Sequence, residues 1–188
     1  MKKNLILALV VCLALPSIAQ VSEERNVLKV NTLSLFLGTG SIFYEHKLTD
    51  LTSAQLGVGY MNFKLGDTKF TGLILTPEVR IYAKKNAIDG FYIAPYARYH
   101  RFTVENNVDV NTKGTLTGFG GGLLFGRQWI TNSDFTMDLF FGGHYGSSDV
   151  KVETTGTSED DIDANFFEGF KMRIGFAIGH GLISIHGR

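Results

Sequence analysis

The feature that most constrains the fold is a repeated alternation of apolar and polar side chains, which runs through most of this 188-residue chain. Successive side chains of a β-strand point to opposite faces, so a period of two predicts strands with one apolar and one polar face. Turn-forming residues separate the alternating segments. The pattern predicts strands at 27–37, 41–48, 53–65, 70–83, 90–103, 115–129, 134–149 and 166–180.

The two faces of the predicted strands differ in the same way from strand to strand. In the fourth strand Leu73 and Val79 have one parity, whereas Glu78 and Arg80 have the other. The seventh and eighth strands repeat this arrangement, and the sixth alternates large apolar residues with glycines that leave room inside for the long side chains opposite. An apolar face toward lipid and a polar face toward an enclosed interior are typical of a membrane barrel.

The predicted fold is all-β, an eight-stranded antiparallel up-and-down transmembrane β-barrel. After the N-terminal segment no stretch reaches the ~18 apolar residues of a membrane helix, and a closed barrel is the other structure that satisfies its backbone in lipid. The predicted connections at 49–52, 84–89 and 130–133 are short, whereas those at 104–114 and 150–165 are long.

Pro77 and Pro95 predict a local bulge in their strands, because proline lacks a ladder donor.

The N-terminal 19 residues predict a secretory signal peptide. Lys2 and Lys3 precede an apolar run at 5–15, and small residues follow at 16–19. Cleavage after Ala19 would remove Cys12, the only cysteine, and would leave 20–188 as a single barrel domain. Without the two lysines, 16 of the 18 basic residues stand against 18 acidic residues, which argues against a nucleic-acid partner.

The polar parity brings charges of both signs into the predicted interior. Charges removed from water must find partners or keep water, so we interpret them as a network that fills the lumen, with an ion pathway as the alternative. The predicted lumen network consists of Glu45, Lys47, Glu78, Arg80, Arg98, His100, Asp138, His144, Lys171 and Arg173.

No motif identifies a catalytic, cofactor or metal site. The chain has no phosphate loop, no paired-histidine zinc motif, no Gly-x-Ser-x-Gly elbow and no nicotinamide fingerprint. Ser184 and His186 are close in sequence, but no carboxylate stands nearby to orient the imidazole. The acidic run at 158–163 lacks the ligand spacing of a calcium loop and is more typical of a solvated connection. We therefore expect neither enzymatic activity nor a cofactor.

Three segments carry a resemblance to known proteins, namely 26–31 (NVLKVN), 55–60 (QLGVGY) and 75–82 (LTPEVRIY). They resemble the small eight-stranded outer-membrane barrels of the OmpA-domain and OmpX type, and more closely a family of uncharacterised exported barrel proteins. The likeness covers nearly all of the mature chain and implies an outer-membrane barrel without an assigned activity. Such barrels commonly end on an aromatic residue of the last strand, whereas this chain continues past Phe176 to Arg188.

Three functions fit these observations. The first is a non-enzymatic outer-membrane barrel with a structural or surface-interaction role, whose outer loops contact lipid or a surface partner. The second is a narrow pore for ions or small solutes. The third is a soluble periplasmic barrel that binds a ligand as lipocalins do, which would require an apolar inward face rather than the charged one predicted here.

Overall fold

A single chain of antiparallel strands closes on itself as a barrel. The computed structural model describes residues 26–36, 38–66, 68–84, 87–106, 112–152 and 169–182. Each strand pairs with the next one along the chain, and the last pairs with the first. The elements are β1 (Asn26–Asn31), α1 (Thr32–Phe36), β2 (Thr39–Lys47), β3 (Thr52–Leu65), β4 (Thr68–Tyr82), β5 (Gly90–Asn106), β6 (Thr112–Ile130), β7 (Phe135–Val152) and β8 (Gly169–Leu182).

The prediction of an all-β, eight-stranded antiparallel barrel is confirmed. The predicted signal peptide at 1–19 lies outside the described residues, as do the acidic run at 158–163 and the pair Ser184 and His186. Among the described residues, α1 is the one helix assigned, and nothing helical there has the length and apolar character to cross a membrane.

The first strand is shorter than predicted. The alternation of Leu33 and Leu35 with polar residues predicted a strand through residue 37, but β1 ends at Asn31 and α1 follows. The Asn31 side chain accepts a hydrogen bond from the Ser34 backbone N–H at 3.2 Å, and the Ser34 hydroxyl donates to the Asn31 carbonyl at 3.0 Å. These local bonds cap a helical turn and replace the strand ladder, so the prediction was wrong at this point.

The two prolines interrupt hydrogen bonding without shifting the strands. Leu75 pairs with Tyr99 and Ile81 pairs with Ile93, so six steps along β4 match six steps along β5 and no residue is inserted. No pairing with the opposite strand is assigned at Pro77 or Pro95 across this seam. The predicted bulge was therefore wrong, because the ladder tolerates the missing donors while neighbouring pairs hold the register.

The barrel has two distinct ends. The connections at 48–51, 83–89 and 131–134 lie at one end, which we call the turn end, together with the start of β1 and the end of β8. The opposite end, which we call the loop end, is where β3, β5 and β7 end. The strands there run further than predicted, because β5 continues to Asn106 and β6 begins at Thr112, within the loop expected at 104–114.

The inward face holds buried polar and aromatic residues, and the outward face exposes large apolar ones. Phe140 is the large apolar residue of β7 that points inward, and its ring meets Phe43 edge to face at a centroid distance of 6.1 Å. Gly175 makes space for it, since a Cβ atom there would stand 2.1 Å from Cζ of Phe140. The outward residues that remain exposed include Leu28, Ile42, Leu56, Val58, Leu73, Val79, Ile81, Phe119, Leu123, Phe125, Leu139, Phe141, Met172 and Ile174.

Candidate functional site

A cluster of charged and amide side chains fills the barrel toward the turn end. All its members point inward because each has the polar parity of its strand, and all are buried. They come from β1, β2, β4, β6 and β7, which are far apart in sequence. We call this cluster the charged plug, and it consists of Lys29, Glu45, Glu78, Arg80, Gln128 and Asp138.

Arg80 lies at the centre of the charged plug. Its Nη1 donates to Oδ2 of Asp138 at 2.8 Å and to Oε2 of Glu45 at 3.3 Å. The same atom donates to Oε1 of Gln128 at 3.1 Å, and Nη2 donates to Oε2 of Glu78 at 3.3 Å. The planar, multiply donating guanidinium suits this position, because a single group reaches acceptors from three other strands and from its own strand.

Lys29 provides a second cation within the charged plug. Its Nζ donates to Oε2 of Glu45 at 2.6 Å, to Oδ2 of Asp138 at 3.0 Å and to Oε1 of Gln128. The amide nitrogen of Gln128 donates to the Ile88 carbonyl at 2.7 Å, which joins the charged plug to the connection between β4 and β5. The two cations therefore share the same acceptors.

Tyrosine hydroxyl groups complete the coordination of the carboxylates. Tyr82 donates to Oε1 of Glu45 at 2.6 Å, and Tyr92 donates to Oδ1 of Asp138 at 2.7 Å. The Tyr92 ring also lies under the Arg80 guanidinium, 4.3 Å from the ring centroid. Buried charges are tolerated when each is paired and hydrogen-bonded, and these carboxylates meet that condition.

The charges of this region balance. Arg173 donates from Nη1 to Oε1 of Glu78 at 2.7 Å, so it adds a third cation to Lys29 and Arg80. The three cations face three carboxylates within the charged plug. The side chains of Lys29, Arg80 and Asp138 have a relative exposure of 0%, which means that neighbouring atoms surround them on all sides. The lumen is therefore filled at this level.

The residues predicted for the lumen network occupy three places. Glu45, Glu78, Arg80 and Asp138 belong to the charged plug, and Arg173 adjoins it. Lys47 lies outside it at the turn end, where Nζ stands 3.3 Å from Oδ1 of the exposed Asp50. The remaining four, which are Arg98, His100, His144 and Lys171, line a cavity on the loop-end side.

Sequence reasoning missed Lys29 and Gln128, although the same signal could have found them. Leu28 and Val30 have the apolar parity of β1, so Lys29 between them must point inward. Gln128 likewise shares the parity of the inward Gly126 in β6. Gly126 itself leaves the space predicted for the inward glycines, because a Cβ atom there would stand 2.3 Å from Cζ of Tyr92.

The cavity on the loop-end side has a volume of about 370 Å³, within the range of small-molecule sites. Its basic lining residues are Arg98, Lys171 and Arg173, with two histidines beside them, and the described residues of its lining include no carboxylate. The His100 ring stacks on Phe102 at a centroid distance of 5.0 Å. We call this space the basic cavity, and it is lined further by Phe43, Met61, Ile74, Thr76, Ser34, Ser41, Met172 and Ile174.

The described residues contain no group of three or more histidine, cysteine or acidic side chains that could hold a metal ion. No curated protein matches the chain. A family model described as a protein of unknown function (DUF3575) matches residues 5–182, which is most of the sequence. A barrel with a charged plug and a basic cavity is thus the architecture of a chain that belongs to the DUF3575 family.

Proposed function

We propose that this protein is a non-enzymatic outer-membrane β-barrel with a structural or surface-interaction role, anchored in lipid and closed at its turn end by the charged plug. The observation that carries the proposal is that the barrel is apolar on the outside and charged on the inside. Residues such as Phe141 (59% exposed) and Ile174 (66% exposed) cover the outside, while the charges of the plug are buried inside. An exposed apolar surface of this extent is unfavourable in water and favourable in a bilayer.

The height of the apolar band supports this proposal. On β6 the apolar band ends at Arg127 near the turn end. Near the loop end it ends at Thr117, which pairs with the outward-facing Arg101. The ten steps between these positions rise ~33 Å along a strand, or ~25 Å across a membrane for a strand tilted by about 40°. An apolar band ~25 Å tall is what outer-membrane barrels present to lipid.

Aromatic residues flank the outward-facing charge near the turn end. The Arg127 guanidinium stands 4.4 Å from the centroid of the Phe91 ring and 5.1 Å from that of Trp129. Amphipathic aromatic rings and long basic side chains concentrate where a membrane meets water, because the apolar body stays in lipid while the polar tip reaches the headgroups. Arg127 and its neighbours fit the periplasmic interface of the proposed barrel.

The charged plug argues against a pore for ions or small solutes. A conducting path would have to pass the buried side chain of Asp138, which accepts hydrogen bonds from both Arg80 and Lys29 across the lumen. The same residues argue against a soluble lipocalin-like barrel, because such a barrel needs an apolar interior and a polar exterior. The proposed partners are outer-membrane lipid and a surface partner that contacts the loop end, with no role for nucleic acid.

Cell fractionation with gel migration tests the proposal. The full precursor is expressed in a Gram-negative host, and the membranes are separated and run with and without boiling. We expect the protein in the outer membrane, with faster migration before boiling because a closed barrel resists unfolding in detergent. Recovery as a soluble periplasmic protein without a heat-dependent shift would refute the proposal.

A further inference from the structure

Among the described residues, the ladder between the last and first strands covers only part of β8. β1 ends at Asn31, which pairs with Ala177 of β8. From Gly169 to Phe176, β8 pairs with β7 on one side, and no described strand pairs with its other edge. β2 begins at Thr39 and pairs only with β3 as far as Ser41. These eight residues of β8 span ~26 Å on the loop-end side, and we call this edge, which no described strand pairs with, the seam.

The short helix α1 occupies this seam. It contacts both β8 and β2. The Thr32 hydroxyl donates to the Phe176 carbonyl at 3.0 Å, and Oγ of Ser34 lies 3.4 Å from Oγ of Ser41. Phe36 on the outer side is 88% exposed. Side-chain contacts therefore replace a strand ladder here, and this part of the wall separates at a lower free-energy cost than a paired seam.

The basic cavity lies beside β8. Met172 and Ile174 have the outward parity and are 84% and 66% exposed, yet both line the cavity. Arg173 between them has the inward parity and lines the same space. These residues place the cavity beside the edge of β8 that no described strand pairs with. The basic cavity thus lies next to the part of the wall that faces lipid in the proposed function.

The chemistry of the basic cavity favours an anion. Arg98 forms no hydrogen bond or ion pair with any described residue, whereas Arg173 is already bonded to Glu78. A guanidinium held inside a barrel without a carboxylate bonded to it is costly, and a bound carboxylate or phosphate offers it two parallel charge-assisted hydrogen bonds. Phe43, Ile74 and Phe102 add an apolar part to the same lining.

We propose that the basic cavity binds the oxyanion head of a single-chain amphiphile, which enters from the membrane through the seam between β8 and β2. This inference rests on the proposed function, because it places the seam in lipid. The carboxylate or phosphate head contacts Arg98, and the alkyl chain passes α1 and Met172 into the bilayer. Inorganic phosphate lacks the alkyl chain, and an alkylammonium ion lacks the anionic head, so each has only one of the two features that the cavity recognises.

Isothermal titration calorimetry in an uncharged sugar detergent tests the headgroup. We expect dodecyl phosphate and dodecanoate to bind the wild-type barrel, and dodecyltrimethylammonium not to bind. Arg98→Gln should weaken binding of both anions at least tenfold, since it removes the charge, and Arg98→Lys should keep part of the affinity. The matched control is Arg101→Gln on the same strand, which changes an exposed outward arginine and should leave binding unchanged.

A second pair of variants tests the lateral entry. Ser34 lines the cavity beside the seam, so Ser34→Trp should weaken dodecyl phosphate binding at least tenfold, while Phe36→Trp on the exposed side of α1 should not. Variants are compared only if they retain heat-shifted migration, which separates loss of binding from loss of the barrel.

Unchanged binding in Arg98→Gln, or equal binding of the ammonium amphiphile, would overturn the anion site. Equal affinity for inorganic phosphate would overturn the lateral entry.

The two proposals fail separately. Fractionation reports whether the barrel resides in the outer membrane, and it does not depend on any ligand. Calorimetry reports whether the basic cavity takes an anionic amphiphile, and it does not depend on where the protein resides in the cell. A membrane barrel that binds none of the anions would leave the proposed function intact and reject the site.

Discussion

Replacing Arg80 with methionine should destabilise the barrel more than any replacement of an exposed charge. Methionine keeps much of the side-chain length and removes the guanidinium that joins Asp138, Glu45 and Glu78. Lys29 would then be the only cation bonded to both Glu45 and Asp138. The region as a whole would change from three cations against three carboxylates to two against three.

The expected loss in the free energy of unfolding follows from the burial of Arg80 and its carboxylate partners. Removing one partner of a fully buried ion pair leaves an uncompensated charge in a poorly solvated interior, which typically costs ~3–5 kcal/mol of the free energy of unfolding. Arg80 and its carboxylate partners have side-chain exposures of 0%, so solvent screening does not reduce this value. Lys47→Met is the matched control, because its partner Asp50 is 75% exposed and such a pair contributes only ~0–1 kcal/mol.

Urea unfolding of the detergent-solubilised protein, followed through the fluorescence of Trp129, the only tryptophan, measures both variants. A double variant, Arg80→Met with Asp138→Asn, restores the charge balance and should recover part of the loss, with a coupling energy of ~0.5–3 kcal/mol. If Arg80→Met lowered the free energy of unfolding by less than 1 kcal/mol, or no more than Lys47→Met does, the argument from buried pairing would be wrong.

Other expected outcomes use the same protein. Leu139→Arg on the outward face should lower stability in a bilayer by ~2–4 kcal/mol, whereas Leu48→Arg in a turn should not, as lipid-vesicle unfolding would measure. Phe140→Ala empties the space above Gly175 and should cost ~3–5 kcal/mol in the urea assay, and a loss below 1 kcal/mol would contradict the observed packing. Planar-bilayer recordings should detect no conductance for the wild-type barrel, and steady single-channel currents would favour the pore instead.

Much of the barrel could be predicted from alternation alone. A strand buries one face and exposes the other, so the parity of Glu78 and Arg80 against Leu73 and Val79 identified the inward set before any pairing was known. The sixth strand followed the same logic, since its inward glycines leave space for rings such as Tyr92. These are local properties of a strand, and they do not depend on which strand lies beside it.

The errors arose where a local alternative competes with the strand. Residues 32–36 alternate as a strand would, but the side chain of Asn31 caps a helical turn and ends β1 early. The bulges at Pro77 and Pro95 were predicted from each strand alone, whereas the paired residues on either side keep β4 and β5 in register. Both outcomes depend on hydrogen bonds that alternation does not report.

The sequence by itself determined that the strands form a barrel with charges inside and large apolar residues outside, because strand parity is encoded residue by residue. Only the tertiary structure decided which of those charges meet. Arg80 and Arg98 have the same parity and looked equivalent in sequence, yet Arg80 reaches three carboxylates and Arg98 reaches none among the described residues. The difference comes from the stagger of the strands around the closed barrel, which sets the height of each side chain in the lumen and therefore its neighbours.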